Sequence, residues 1–295
     1  MTKLKKLASY FTKETKKFVI FLSLLIAANI FIWNSVIGIV SPPQVQIYFF
    51  DVGQGDSELI RIEGRVDILV DGGPAEGNIL KDLSQALPLG DRYLDLVAMT
   101  HPQSDHGTGL IKVLDYYKTG LFLHSGKKGD SKFLNILERK VARKTQRSLQ
   151  LYQGDLIKYK DYVIEIISPE EAFLDSSDSN ESSLVMNFKV DGFNTLFTGD
   201  ITKKIERKII ENLPASVDVL KVPHHGSKYS SSPTLLKKIE PAISVIEVGS
   251  NSYGHPSPKT LSRLRKIGSN IFRTDKYGTV KIEYDSKRIK VFSQD

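Results

Sequence analysis

The chain contains no cysteine. That absence removes disulfides, thiolate nucleophiles and every metal site built on cysteine sulfur. Any metal or nucleophilic chemistry must then rest on imidazole, carboxylate, hydroxyl or amine groups. It also fits an exported domain that does without cross-links. No long Pro/Gly/Ser linker divides residues 44–295 and no short repeat recurs, which argues for one domain rather than two. Hydrophobic content of 40% and charged content of 25% exclude wholesale disorder.

The net charge of +7 is unevenly spread. Six lysines (3, 5, 6, 13, 16 and 17) and one acid, Glu14, fall within residues 1–17, leaving the remainder close to neutral. Beside them, residues 18–40 (FVIFLSLLIAANIFIWNSVIGIV) carry no charge at all. As a helix rising ~1.5 Å per residue this stretch spans roughly 34 Å, enough to cross a hydrocarbon core. It is long for the core of a signal peptide, and no A-x-A-like cleavage site follows it. Pro42 and Pro43 stop the apolar pattern. Residues 1–17 therefore read as a basic cytoplasmic tail and 18–40 as a single-pass anchor in the cell membrane. The positive-inside rule places residues 41–295 on the extracellular side.

Within the soluble part, apolar runs suited to strands recur at 44–52, 57–62, 66–71, 94–100, 121–124, 162–167, 183–190, 194–200, 218–222, 242–249, 279–284 and 288–292. Helical patterns lie at 78–87, 109–117, 132–144, 203–213, 233–239 and 258–267. Pro233, first in its helix behind a run of serines, is a good N-terminal signal. This grouping predicts two packed sheets with helices outside. The polar stretch 176–183 reads as a loop.

Chemistry concentrates in three segments. THPQSDHGTG (100–109) follows an apolar run and presents His101, Asp105 and His106 from one loop; imidazole and carboxylate suit zinc, manganese or iron. The competing reading makes Asp105 a helix cap and His106 incidental. LFTGD (196–200) ends in Asp200, which taken alone favours a helix N-cap. KVPHHGS (221–227) carries His224 and His225, of which one can complete a metal shell while the other acts on substrate. Asp51, Asp56 and Asp71, in FFDVGQGDS and ILVDGGP, could orient histidines from behind, or simply sit in polar turns. His255 in YGHPSP is a late candidate for the site, whereas His124 reads as structural.

FFDVGQGDS, VDGG, THPQSDHGTG, SSLV…LFTGD, VLKVPHHGSKYSSS and YGHPSP, in that order, resemble the metallo-β-lactamase superfamily, and within it the ComEC-like hydrolase domains attached to competence-related DNA-uptake channels. The resemblance covers about residues 44–285. It implies an αββα four-layer sandwich, behind one N-terminal transmembrane helix, with a metal site at one edge between the sheets. It also implies zinc or manganese, one or two ions. His101 matches a first-site ligand, Asp105 and His106 match second-site ligands, and Asp200 matches the carboxylate that bridges or serves the second site. One of His224 and His225, by a slight margin His225, matches the last ligand, with the other near the substrate. Gln103 stands where the superfamily has a second histidine, and the SSLV region (182–185) lacks the intermediate histidine. A neutral amide is the weaker ligand. One ion at the second site, or a manganese pair, is the expectation. A single span is too little for a complete uptake protein.

The resulting expectation is metal-assisted hydrolysis of a phosphodiester, foremost in DNA. Asp105 or Asp200 would orient water, His224 or His255 would assist the leaving group, and Lys228 and Tyr229 would contact phosphate or sugar. The near-neutral soluble part favours the alternative of a cell-envelope phosphodiester such as a phosphocholine ester. A binding module that has lost its metal is the non-catalytic alternative.

Overall fold

The computed structural model describes residues 15–32, 42–285 and 287–294 and forms two compact units, Met1–Pro42 and Pro43–Asp295. The first contains helix α1 (Thr15–Ile32), long and apolar enough by length and composition to cross a membrane. Residues 1–14, most of the expected basic tail, and 33–41, the end of the expected anchor, lie outside the described residues.

In the second unit, β1 (Val45–Phe49), β2 (Glu58–Ile62) and β3 (Val66–Val70) precede α2 (Ile79–Ala86). Then follow β4 (Tyr93–Met99), α3 (Ser104–Tyr116), β5 (Lys118–His124), α4 (Lys132–Lys144) and β6 (Thr145–Gln150). The second half runs β7 (Leu156–Tyr159), β8 (Tyr162–Ser168), β9 (Val185–Val190), β10 (Phe193–Phe197), α5 (Lys203–Ile209), β11 (Val219–Lys221), α6 (Pro233–Ile239), β12 (Ile243–Ile246), α7 (Pro258–Lys266) and β13 (Asn270–Arg273). A one-turn helix, α8 (Thr274–Tyr277), leads into β14 (Val280–Asp285) and β15 (Arg288–Phe292).

The strands make an eight-stranded sheet, β15-β14-β1-β2-β3-β4-β5-β6, and a seven-stranded sheet, β13-β12-β11-β10-β9-β8-β7. Alternation decides which face each strand buries. Val45, Ile47 and Phe49 of β1 point into the space between the sheets, where they meet Ile164, Ile166, Phe188 and Phe197. Each sheet also has an apolar outer face. Leu59, Leu69 and Val97 pack under α2, α3 and α4, while Leu196, Leu220 and Ile246 pack under α5, α6 and α7. The result is the expected αββα sandwich. Burial of each such side chain contributes about 1.5–3 kcal/mol. Ser131, Ser232 and Ser257 cap α4, α6 and α7, each side chain accepting from a backbone N–H three residues on.

Three strands carry no sequence signal: β6, β7 and β13. All three are edge strands, paired on one side only, and β6 (TQRSLQ) is largely exposed. Backbone hydrogen bonds to β5 place it, and these leave no apolar pattern in the residues. The stretch 176–183 also departs from the loop reading. It contains a 3-10 turn, Ser179–Ser182, in which Asn180, Glu181 and Ser182 are buried.

Helix α3 begins five residues before the expected start of 109. Its first turn is polar, so amphipathic spacing misses it. Glycines let it press on the turn after β3. Gly72 N donates to His106 O at 2.7 Å and Gly109 N to Gly73 O at 2.9 Å. A Cβ on Gly109 would lie 1.8 Å from the Gly72 carbonyl oxygen. Gly109→Ala should therefore push α3 off this turn and cost about 1–3 kcal/mol. Urea denaturation would check it; an unchanged midpoint would refute the close-packing account.

Candidate metal centre

The parallel strands of both sheets end at one edge, and the loops after them carry the polar groups. Asp71 follows β3, His101 follows β4, Asp200 follows β10, the His224-His225 pair follows β11, and Glu247 follows β12. Carboxyl ends of parallel strands are where open α/β sheets gather ligand-binding residues. Asp105 and His106 join them from the first turn of α3, so they stand on a helix rather than on the expected loop. Gln103, not Asp105, is the N-cap of that helix, and Thr202, not Asp200, is the N-cap of α5. The two capping alternatives are thereby removed.

Hydrogen bonds determine which ring nitrogen of each buried histidine faces inward. Asp71 accepts from Thr100 N at 2.8 Å, from Thr100 Oγ1 at 2.6 Å and from His106 Nδ1 at 2.7 Å. The Thr100 hydroxyl, its proton committed to Asp71, accepts from His101 Nδ1 at 3.0 Å. His225 Nδ1 donates to the Glu247 carbonyl at 2.9 Å. Protonation at Nδ1 leaves Nε2 with its lone pair on His101, His106 and His225. All three Nε2 atoms are buried without a hydrogen-bond partner. His224 and His225 both adopt left-handed backbone, with φ of 54° and 50°. Such geometry in non-glycine residues costs of order 1–3 kcal/mol and marks functional positions.

The carboxylates meet the same nitrogens. Asp200 Oδ2 lies 3.5 Å from His106 Nε2, 3.4 Å from His225 Nε2 and 3.8 Å from His224 Nε2. Asp105 Oδ2 lies 3.5 Å from His225 Nε2. Donor atoms of His101, His106 and Asp200 all fall within 4.8 Å of one another, as do those of Asp105, His106 and His225. Behind them, Asp56 is 3.2 Å from His225 Nδ1 and 3.6 Å from His106 Nδ1, and it pairs with buried Lys221.

Burial pushes the His106 imidazole down, but Asp200, Asp56 and Asp71 together outweigh it and hold it well above the ordinary histidine range. Burial opposes charge on His225 too, yet Asp200 and Asp56 raise it to about 10. His101, buried and beside His106, falls to about 3. A cluster that draws protons onto two imidazoles is one that draws a cation. Inward lone pairs, orphaned nitrogens and converging carboxylates fit a divalent metal ion. Asp105, His106, Asp200 and His225 are the residues that could hold it, with His101 adjoining.

The cluster opens into a cavity of about 440 Å³ lined by Asp105, Asp200, His224, His225, His255, Gln103, Ser104, Gln54 and Tyr253. His224 is partly exposed at its mouth. His255 is lowered to about 4 by burial and by His224, so it is neutral near neutral pH. The Gln103 amide nitrogen donates to Ser179 Oγ at 2.9 Å and Asn180 Oδ1 at 2.7 Å, so Gln103 is tied to the 3-10 turn.

Three expected participants stand elsewhere. Asp51 is exposed, its side chain accepting from Gly53 N at 3.4 Å, because the turn after β1 directs it to solvent. Lys228 and Tyr229 are exposed beyond the His224-His225 turn and do not line the cavity. His124 is structural, its Nδ1 accepting from Gly126 N at 3.0 Å. Conversely, sequence reasoning missed Lys221, Glu58 and Glu247, all buried at this edge. Each is a charged residue inside an apolar strand run (DVLKV, SELIRI, AISVIEVG), and that intrusion was a usable signal.

No family model matches the chain. It is 28% identical over 268 residues to ComE operon protein 3 of Bacillus subtilis, covering 84% of this chain and 34% of that protein. It is 29% identical over 243 residues to competence protein ComA of Neisseria gonorrhoeae, covering 80% of this chain and 32% of that one. The chain thus spans about a third of the length of the curated relatives it matches. Among solved structures it resembles the metallo-β-lactamase fold protein YhfI from Bacillus subtilis. The TM-score is 0.55 at 10% identity, with 84% of this chain and 99% of that one covered. The chain has the metallo-β-lactamase fold, and its relatives include a ComE operon protein and a competence protein.

Two outcomes are expected of the full chain in detergent. Elemental analysis should find bound manganese or zinc in the wild type and none in a His106→Ala, Asp200→Ala double variant. Retention of metal by the double variant would remove these residues from the centre. Secondly, the surrounding carboxylates favour protons on His106 and His225, and an incoming ion must displace them. Manganese affinity should therefore rise with pH across the neutral range. A flat profile would contradict the two-imidazole assignment.

Proposed function

We propose that this protein is a divalent-metal-dependent phosphodiesterase acting on DNA, held at the outer face of the cell membrane by α1. The observation that carries the reading is the convergence of three buried, orphaned imidazole nitrogens with Asp200 beneath an open cavity that Asp105 lines. A bound ion supplies Lewis acidity, which polarises a phosphoryl oxygen and makes water nucleophilic near neutral pH. The chain's own residues do the rest. His106, Asp200 and His225 would hold the ion from below, with His101 adjoining, and Asp105, partly exposed at the rim, would hold it from there and orient water. His224, at the mouth, faces the substrate. His255, neutral, lines the cavity beside His224. DNA as substrate is supported by the similarity to a competence protein and by the ordered motifs from FFDVGQGDS to YGHPSP.

One observation favours a second reading. Among the described residues no lysine or arginine lines the cavity. A nuclease groove ordinarily carries cations that follow the phosphate backbone. A small cell-envelope phosphodiester, such as a phosphocholine ester, would need fewer.

The test supplies the full chain in detergent with manganese, zinc or magnesium and offers single-stranded DNA, duplex DNA and a small chromogenic phosphodiester. Cleavage of DNA that is lost in His106→Ala is the expected result. Cleavage of the chromogenic ester alone would favour the envelope substrate, and no cleavage with any metal would overturn the hydrolase reading. Within an active enzyme, His224→Ala should lower kcat/KM by about 10²–10⁴-fold while metal content stays unchanged. Loss of metal would instead make His224 a ligand.

A further inference from the structure

Lys221 is wholly buried in the short parallel strand β11, in a position where solvent cannot compensate its charge. Its ammonium pairs with Asp56, lies 3.6 Å from Asp200 Oδ1 and donates to the Gly199 carbonyl at 3.2 Å. Glu58 and Glu247, also buried, complete its electrostatic surroundings. Burial works against a charged lysine here, and the adjoining Asp56 and Asp200 carboxylates offset it.

The two oxygens of Asp200 thereby face different cations. Oδ2 is turned to the imidazoles of His106, His225 and His224, whereas Oδ1 is turned to Lys221. Asp56 is divided in the same way, between Lys221 on Oδ2 and His225 on Oδ1. A carboxylate can serve two metal ions by offering one oxygen to each, and here Oδ1 of Asp200 is turned to the Lys221 ammonium instead. The Gln103 amide nitrogen, for its part, is engaged by Ser179 and Asn180. We propose that Lys221 is the second cation of this centre: its fixed ammonium neutralises Asp200 and Asp56 in place of a second divalent ion, and the centre takes a single exchangeable metal.

This inference rests on the metal-centre reading above, and the experiment separates the two. Full-length protein in detergent is titrated with Mn(II), following stoichiometry by elemental analysis and the electronic environment by electron paramagnetic resonance. Wild type and Lys221→Arg, which keeps the charge, should saturate at one ion per chain with the spectrum of an isolated Mn(II). Lys221→Met should admit a second ion and show the broadened spectrum of a coupled pair. Should Lys221→Met fail to fold, the double variant Lys221→Met, Asp56→Asn removes the buried ion pair as a unit and should likewise take up a second ion. Two ions in the wild type would overturn the role of Lys221 and leave the metal centre standing. One ion or none in folded Lys221-less protein would overturn it as well. No metal in the wild type would sink the metal-centre reading itself.

Discussion

The buried ion pair between Asp56 and Lys221 joins the two sheets at the edge where the polar residues gather. Asp56 lies between β1 and β2 of one sheet, and Lys221 ends β11 of the other. Taking both charges from water is expensive, and such pairs are weak evidence for stability. This one acts on placement. Asp56 approaches the Nδ1 edges of His106 and His225, and Lys221 approaches Asp200. Through two side chains, groups far apart in sequence are set against one another with their orientations constrained.

Around that pair the polar edge is layered. Thr100 and Asp71 fix the tautomers of His101 and His106, and the Glu247 carbonyl fixes that of His225. None of these groups faces the cavity, yet they decide that three Nε2 atoms turn towards the carboxylates beneath it. The apolar sandwich behind supplies rigidity, since strands with two buried neighbours cannot shift without moving the core. The opening towards solvent is built instead from loops and helix starts: Gln103 and Asp105 on one side, the His224-His225 turn and His255 on the other.

The chemistry of the centre follows from charge density. Carboxylates that would repel one another at close range are held together because cations are interleaved with them. One cation, Lys221, belongs to the chain; in the absence of metal, protons on His106 and His225 serve alongside it. An open, polar cavity above this cluster suits a substrate that brings its own oxygen ligands. Its lining without lysine or arginine leaves recognition of such a substrate to imidazoles, amides and Tyr253.

Much of this was legible in the residues alone. Period-two alternation in β1 and β8 and the apolar runs of β3, β4 and β10 announce strands because each buries a face, and burial leaves its mark on composition. The cores of α4 and α6 are equally plain, bounded by their serine caps. The glycine- and histidine-rich turns named the candidate donors, since few structural roles call for imidazole and carboxylate at such spacing. What only the tertiary structure decided is whatever depends on a partner distant in sequence. The edge strands β6, β7 and β13 are placed by hydrogen bonds to a neighbour; Asp51 faces solvent whereas Asp56 faces the site; His225 lies at the floor whereas His224 stands at the mouth. Adjacent or near-adjacent residues of the same chemistry look alike in one dimension. Backbone direction separates them, and that direction is determined by contacts such as Asp56 with Lys221, whose members lie 165 residues apart.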